Sequence, residues 1–174
     1  VSDIFKTIVE GDQQFRRVLN NVLQFSKRPR VAMREMAAVL EDETEKNFSA
    51  QGRPKWKALS EVTKFNRIGG RKGQKKNGGL TKRSQRVLSQ MMILQDSGVM
   101  ASSVHSQYGD DYSLIGAVGP QARIHQLGGL AGKGHSVKID ARPYLPFTPD
   151  LKLQSEAEKP LLKVGMDNLR RAIE

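Results

Sequence analysis

Chemistry needs reactive side chains held at fixed spacing, and few residues of this chain qualify. Three histidines are present, His105, His125 and His135, and none falls into an HExxH or similar ligand spacing. Asp110 and Asp111 are adjacent carboxylates within a Gly-Asp-Asp turn; their side chains diverge, so they read as a solvated turn rather than an acid–base pair. Ser97 sits in Asp-Ser-Gly-Val, which lacks the Gly-x-Ser-x-Gly elbow of hydrolases. Cysteine is absent, which removes thiol nucleophiles, thiolate zinc sites, iron–sulfur ligation and disulfides together. No catalytic, cofactor-binding or metal-ligating set is assigned, and no cofactor is expected.

The glycine-rich run Gly-Gly-Arg-Lys-Gly-Gln-Lys-Lys-Asn-Gly-Gly, residues 69–79, superficially suits phosphate. It does not match GxxxxGK[ST], no strand precedes it, and no helix start is placed to receive a phosphate. Its charge is the stronger signal. The 174 residues carry a net charge of +11, but residues 1–61 hold 11 basic and 9 acidic side chains and residues 96–174 hold 9 of each. Residues 62–95 hold the other 9 cations, Lys64, Arg67, Arg71, Lys72, Lys75, Lys76, Lys82, Arg83 and Arg86, and no acid. Such a local surplus attracts an anionic partner. Phosphate-backbone contact without sequence preference and contact with a partner protein both stay open; a single aromatic, Phe65, gives little for base stacking.

The elements that must position these residues can be read from periodicity. Phe15, Val18, Leu19, Val22 and Leu23 predict an amphipathic helix over about 13–25, after a shorter amphipathic piece over 3–10. Pro29 opens a second helix with the stripe Met33, Met36, Ala37, Leu40, Thr44 and Phe48, and the acidic run Glu41, Asp42, Glu43, Glu45 on the opposite face. Trp56, the chain's sole tryptophan, reads as an anchor plugged into the core. Residues 64–86, with five glycines and two apolar residues before Leu80, read as a long, flexible surface loop. A helix resumes near Thr81 with Val87, Leu88, Met91 and Met92 inward.

Strands are predicted at 103–108 and 112–118 as a hairpin, and at 135–141 as a third strand. A short helix from Pro120 ends at Gly128-Gly129, and the following Leu-Ala-Gly-Lys-Gly reads as flexible. Pro143, Pro146 and Pro149 hold an extended segment, and a C-terminal helix spans about 160–173, weakened by Gly165. The fold class is α+β: a helical hairpin and a C-terminal helix on a small, mostly antiparallel sheet, in one domain over 1–174. A three-stranded sheet leaves open edges, which oligomerisation would cover. No apolar run approaches 18 residues, and the N-terminal stretch lacks the basic leader and cleavage site of a secretory signal. A structural assembly protein, a nonspecific nucleic-acid-binding module and an enzyme are the three classes to weigh, and the enzyme has no constellation behind it.

Four motifs in order then resemble a known family. They are Trp56–Lys57–Ala58–Leu59 with Thr63; Ile93–Leu94–Gln95–Asp96–Ser97–Gly98 with Met100 and Ser103; Ala122–Arg123–Ile124–His125–Gln126–Leu127–Gly128–Gly129; and Ala141–Arg142–Pro143–Tyr144–Leu145. Their order and spacing resemble the virion morphogenesis (tail completion) family of Mu-like tailed bacteriophages over roughly residues 10–174; Gln121 departs from the aromatic common there. The resemblance implies a non-enzymatic capsid–tail junction protein, made in the bacterial host cytoplasm and built into the virion. Its partners would be other neck, connector or tail proteins and further copies of itself in a ring, often hexameric, with the isolated chain free to be monomeric. No membrane is implied. Gly98, Gly128 and Gly129 suit turns with positive φ. His125 and Gln126 suit loop-fixing hydrogen bonds, and Arg142 beside Pro143 suits either a subunit boundary or an intrachain anchor. In a ring, residues 64–86 would face a lumen that DNA crosses or reach an adjacent ring.

Overall fold

In a computed structural model of the chain, the described residues are 20–21, 23–24, 29–119 and 121–173. The expected helices over 3–10 and 13–25 lie almost wholly outside them, although Asn20, Asn21, Leu23 and Gln24 are helical. The architecture is α+β. Helix α1, Arg30–Ser49, begins directly after Pro29, whose carbonyl accepts from the Met33 N–H at 2.9 Å. Helices α2 (Glu61–Arg67), α3 (Lys82–Ser89) and α4 (Val99–Ser102) follow, then strands β1 (Val104–Tyr108) and β2 (Ser113–Ala117). Helix α5 (Ala122–Leu127), strands β3 (Gly129–Ala131) and β4 (Val137–Ile139), and helix α6 (Ser155–Ile173) complete the order.

These segments cluster into two compact units. The first, among the described residues, holds α1 up to Glu43, residues 105–116 and residues 153–173. Ala32, Ala37 and Leu40 of α1 and Ala157 of α6 are buried there. Glu35 of α1 accepts from Asn168 Nδ2 at 2.6 Å and from Arg171 Nη1 at 2.9 Å. Those two donors hold its carboxyl below the usual glutamate range. The hairpin is tied on by Ser113 Oγ, which donates to the Met33 carbonyl at 2.6 Å, and by Glu41, which accepts the Ser106 N–H at 2.8 Å. Arg30 pairs with Asp110 at 3.1 Å and lies over the Tyr108 ring. Asp110 is thus an ion-pair partner rather than part of a purely solvated turn.

The second unit holds residues 44–104 and 117–152. Its core is Phe48, Trp56 and Tyr144: the Phe48 ring meets Trp56 edge-on at 5.9 Å and Tyr144 at 5.5 Å. Ile93, Leu94, Met100, Val104, Ala117 and Leu145 pack around them. The anchor reading of Trp56 holds, since the ring is buried and its Nε1 donates to the Pro143 carbonyl at 3.0 Å.

Several expectations are corrected. The acidic side of α1 is not wholly solvated: Glu43 is buried, because it stands three residues after Leu40 and four before Asn47, at the margin of the inward stripe. The single three-stranded sheet is two two-stranded sheets, β1–β2 and β3–β4. Leu130 and Ala131, read as flexible, join Gly129 in a strand that pairs antiparallel with Val137–Ile139, Leu130 opposite Lys138; backbone pairing outweighs a composition poor in strand formers. Helix α6 starts at Ser155 rather than near 160. The Gln154 carbonyl accepts the Ala157 and Glu158 N–H groups and nucleates it, Glu156 and Glu158 suit its N-terminal dipole, and Pro160 forgoes only one N–H close to the start. The helix runs through Gly165, against which Met36 packs.

The last correction concerns residues 64–86, which are built from regular elements. Ser60 and Thr81 cap α2 and α3 by accepting the Thr63 and Ser84 N–H groups. A 3-10 turn spans Gly70–Gly73, and Gln74 and Leu80 form a β-bridge. Short polar elements of this kind need no apolar core when caps and bridges satisfy their backbone groups. Helix α3 ends at Ser89, so Met91 and Met92 fall beyond it.

Candidate functional site

Two features of the second unit concentrate the residues singled out from sequence. The first is an interlock of motif side chains, and it starts from α5. Gln126 of α5 is buried. Its Oε1 accepts the Tyr144 and Leu145 N–H groups at 3.1 and 3.0 Å, and its Nε2 donates to the Phe147 carbonyl at 2.8 Å. A proline-punctuated segment has no strand partner to satisfy its backbone, so one amide side chain does the work of a neighbouring strand. The buried Tyr144 hydroxyl donates to the Ala122 carbonyl at 3.3 Å, and burial pushes its pKa up.

Arg142 ties a third segment in. Its backbone N–H donates to the His125 carbonyl at 2.7 Å, and its guanidinium reaches the Lys57 and Ala58 carbonyls at 3.2 and 3.5 Å. These bonds all lie within the chain. Gly128 has φ +73°, and a Cβ there would come within 3.0 Å of the Ala141 nitrogen. The turn after α5 therefore requires glycine for both conformation and space. Gly98, with φ +73°, starts α4. His125 Nδ1 is buried without a hydrogen-bond partner. Its pKa is pushed down by burial first and by the Arg142 charge second.

The interlock forms one wall of an open cleft of about 1030 Å³. Lys57, Arg67, Asp96, His125, Asp140 and Arg142 face it, together with apolar Val99, Val118 and Val137. Lys57 pairs with Asp140 at 2.9 Å and holds that carboxyl below the usual range. Among the described residues no group of three His, Asp or Glu side chains is placed to hold a metal. No described helix is long and apolar enough to cross a membrane.

The second feature is the cationic segment. Two of its nine cations are engaged: Arg67 with Asp96 at 3.3 Å and the Met92 carbonyl at 2.8 Å, and Lys64 with Glu61 at 2.7 Å. Arg71, Lys72, Lys75, Lys76, Lys82, Arg83 and Arg86 are exposed. None of the seven forms an ion pair with a described acidic residue.

Sequence reasoning missed two anchors. Asn47 Nδ2 donates to the Tyr144 and Leu145 carbonyls at 3.1 and 3.2 Å, and its Oδ1 accepts from Arg53 at 2.8 Å. The signal was a polar residue between Thr44 and Phe48 at the margin of an apolar stripe. Gln51 Oε1 accepts the Ile93 N–H at 2.6 Å, and nothing in its local sequence marks it.

The phage virion morphogenesis family matches residues 11–156 of the chain. The chain is 29% identical over 150 residues to Mu-like prophage FluMu G protein 2 of Haemophilus influenzae, covering 86% of each chain. It is 32% identical over 123 residues to the putative capsid assembly protein G of Escherichia phage Mu, covering 68% of this chain and 69% of the relative. No solved structure matches.

Proposed function

The chain belongs to the phage virion morphogenesis family, and from that premise we propose that it is a non-enzymatic joint of the virion, completing the tail or joining head and tail as a ring of identical subunits. A phage structural assembly role is common ground for the family and its relatives. The finer reading is carried by where the motif residues place their polar atoms. Trp56, Gln126, Arg142 and Tyr144 all direct theirs to backbone groups of the same chain. A catalytic constellation aims its donors at a reacting atom; this one stiffens three segments against each other, as a load-transmitting part requires.

The ring is supported by helix α6. Leu162, Met166, Leu169 and Ile173 are exposed along it at spacings of four, three and four residues. That spacing lays them in one stripe about 16 Å long, of the kind that packs against another helix. In this reading the neighbouring copy covers the stripe, the ring sits at the neck or tail terminus of the virion, and the subunit acts as one domain made in the host cytoplasm. Six copies are the expected number.

Light scattering and negative-stain microscopy of the chain, alone and mixed with tail or connector particles, test the reading. Closed rings that disappear in the double variant L162D/M166D, with Trp56 emission unchanged, are the expected result. Absence of the chain from purified virions would sink it.

A further inference from the structure

We propose that the folded segment from Gly70 to Ser89 is a platform for the phosphate backbone of double-stranded nucleic acid. Its seven cations that pair with no described acidic residue sit on three joined pieces. Arg71 and Lys72 lie on the 3-10 turn, Lys75 and Lys76 on the reversal between the bridge partners Gln74 and Leu80, and Lys82, Arg83 and Arg86 on α3.

The pieces are locked to one another. Ser84 Oγ, buried, donates to the Gly73 carbonyl at 2.7 Å, and the Thr81 N–H donates to the same oxygen at 3.1 Å. A Cβ on Gly73 would lie 2.4 Å from the Ile68 carbonyl and 2.8 Å from Ser84 Oγ, so the packing there is as close as backbone allows. The cations are therefore presented from a fixed frame, which lowers the ordering cost of engaging a regular array of charges.

The chemistry of the face selects the partner. Protein interfaces are anchored by Trp, Tyr and Arg side chains seated in well-packed, desolvated pockets. Across Gly70 to Ser89 the apolar side chains are Leu80, itself a bridge partner, and Val87 and Leu88 of α3, and all three are half-buried. Single strands are held by runs of aromatic side chains on which successive bases stack, and this face has one aromatic, Phe65, set against Gly70 at its edge. What remains is a dense positive charge paired with no described acidic residue, and contact with a phosphate backbone needs nothing more. The inference stands apart from the ring, since it concerns a face that the isolated chain already presents.

Fluorescence anisotropy with a labelled 20-base-pair DNA duplex of arbitrary sequence, across salt from 50 to 200 mM, is the test. Seven cations limit the slope of log K against log salt to about −6; engagement of four or five phosphates gives about −4 and a loss of a few hundred-fold over that range. An RNA duplex should bind within a few-fold of the DNA, and a single-stranded oligonucleotide with a shallower slope. The variants K75Q/K76Q and R83Q/R86Q should each weaken binding at least ten-fold and flatten the slope by about 2, with far-UV circular dichroism unchanged. A control, K133Q/K159Q, should match the parent. No duplex binding at 50 mM salt would overturn the inference, as would a slope unaltered in both variants. Displacement of the duplex by polyglutamate of matched charge at equal concentration would overturn it too, and would assign the face to an acidic protein.

Discussion

His125 and Gln126 are neighbours on α5 with opposite fates. Gln126 satisfies three backbone groups of a segment that has no strand beside it. Truncating it to alanine leaves one buried and two half-buried backbone groups without that partner. The expected cost is at least about 3 kcal/mol, or a fall in Tm on the order of 6–12 °C for a chain of this size, read by thermal denaturation; Q126E should recover part of it through the retained acceptor. His125 instead keeps an unpartnered Nδ1, and burial together with the Arg142 charge holds its pKa down. The folded chain thus keeps it neutral where the unfolded chain, with an ordinary histidine near 6.5, takes up a proton. The unfolded state binds more protons, so stability is intact above that value and falls as the pH drops through it. Denaturant titrations at pH 7 and pH 5 should show this loss in the parent and a smaller one in H125L, which removes both the titration and the orphaned nitrogen.

Among the elements, the cationic segment shows what makes a glycine-rich stretch fold. Its order depends on the Ser84–Gly73 bond and on the absence of a side chain at Gly73. S84A should cost about 1–2 kcal/mol, and G73A more, because the Ile68 carbonyl is backbone and cannot swing aside. Hydrogen exchange should report both losses as faster exchange across residues 70–89, with Trp56 emission unaltered. The same segment marks where sequence reading stops. The α1 stripe, the hairpin, the Trp56 anchor, the Gly98 and Gly128 turns and the order of the four motifs were legible, since each rests on local periodicity or residue type. The caps of Ser60 and Thr81, the pairing of β3 with β4 and the roles of Asn47 and Gln51 were not. Asn47 and Gln51 act on partners more than 40 residues away, which neither composition nor period encodes, while the caps reach three residues on and β3 meets β4 across one short loop, in stretches whose glycine- and lysine-rich composition reads as loop. Helix α6 was read short for the related reason that Pro160 and Gly165 carry local penalties, while the burial of Ala157 and the packing of Met36 against Gly165 that offset them are tertiary.

At the scale of the whole molecule, three of the four boundaries between the two units fall inside regular elements: between Glu43 and Thr44 in α1, after Val104 in β1 and before Ala117 in β2; the fourth, between Lys152 and Leu153, lies in the irregular stretch before α6. A helix is a cooperative hydrogen-bond ladder, and one that runs through both units couples their unfolding. One transition is therefore expected for the 174-residue chain. Trp56, the sole tryptophan, lies in the second unit and reports on it alone. Far-UV circular dichroism is weighted toward α1 and α6, and α6 lies wholly in the first. Urea midpoints from the two probes should coincide, as two-state behaviour demands. Thr44 supplies the complementary measurement because it is the first residue past the division and is buried in the middle of α1. T44P removes a helical hydrogen bond and forces a kink at a cost of about 3 kcal/mol or more, and it does so at the point through which the coupling passes. The two midpoints should then separate, with the tryptophan transition at the lower urea concentration because the core of Phe48, Trp56 and Tyr144 hangs from the far end of that helix. Separate midpoints in the parent chain would instead mean that each unit folds on its own and that the shared helix forms last.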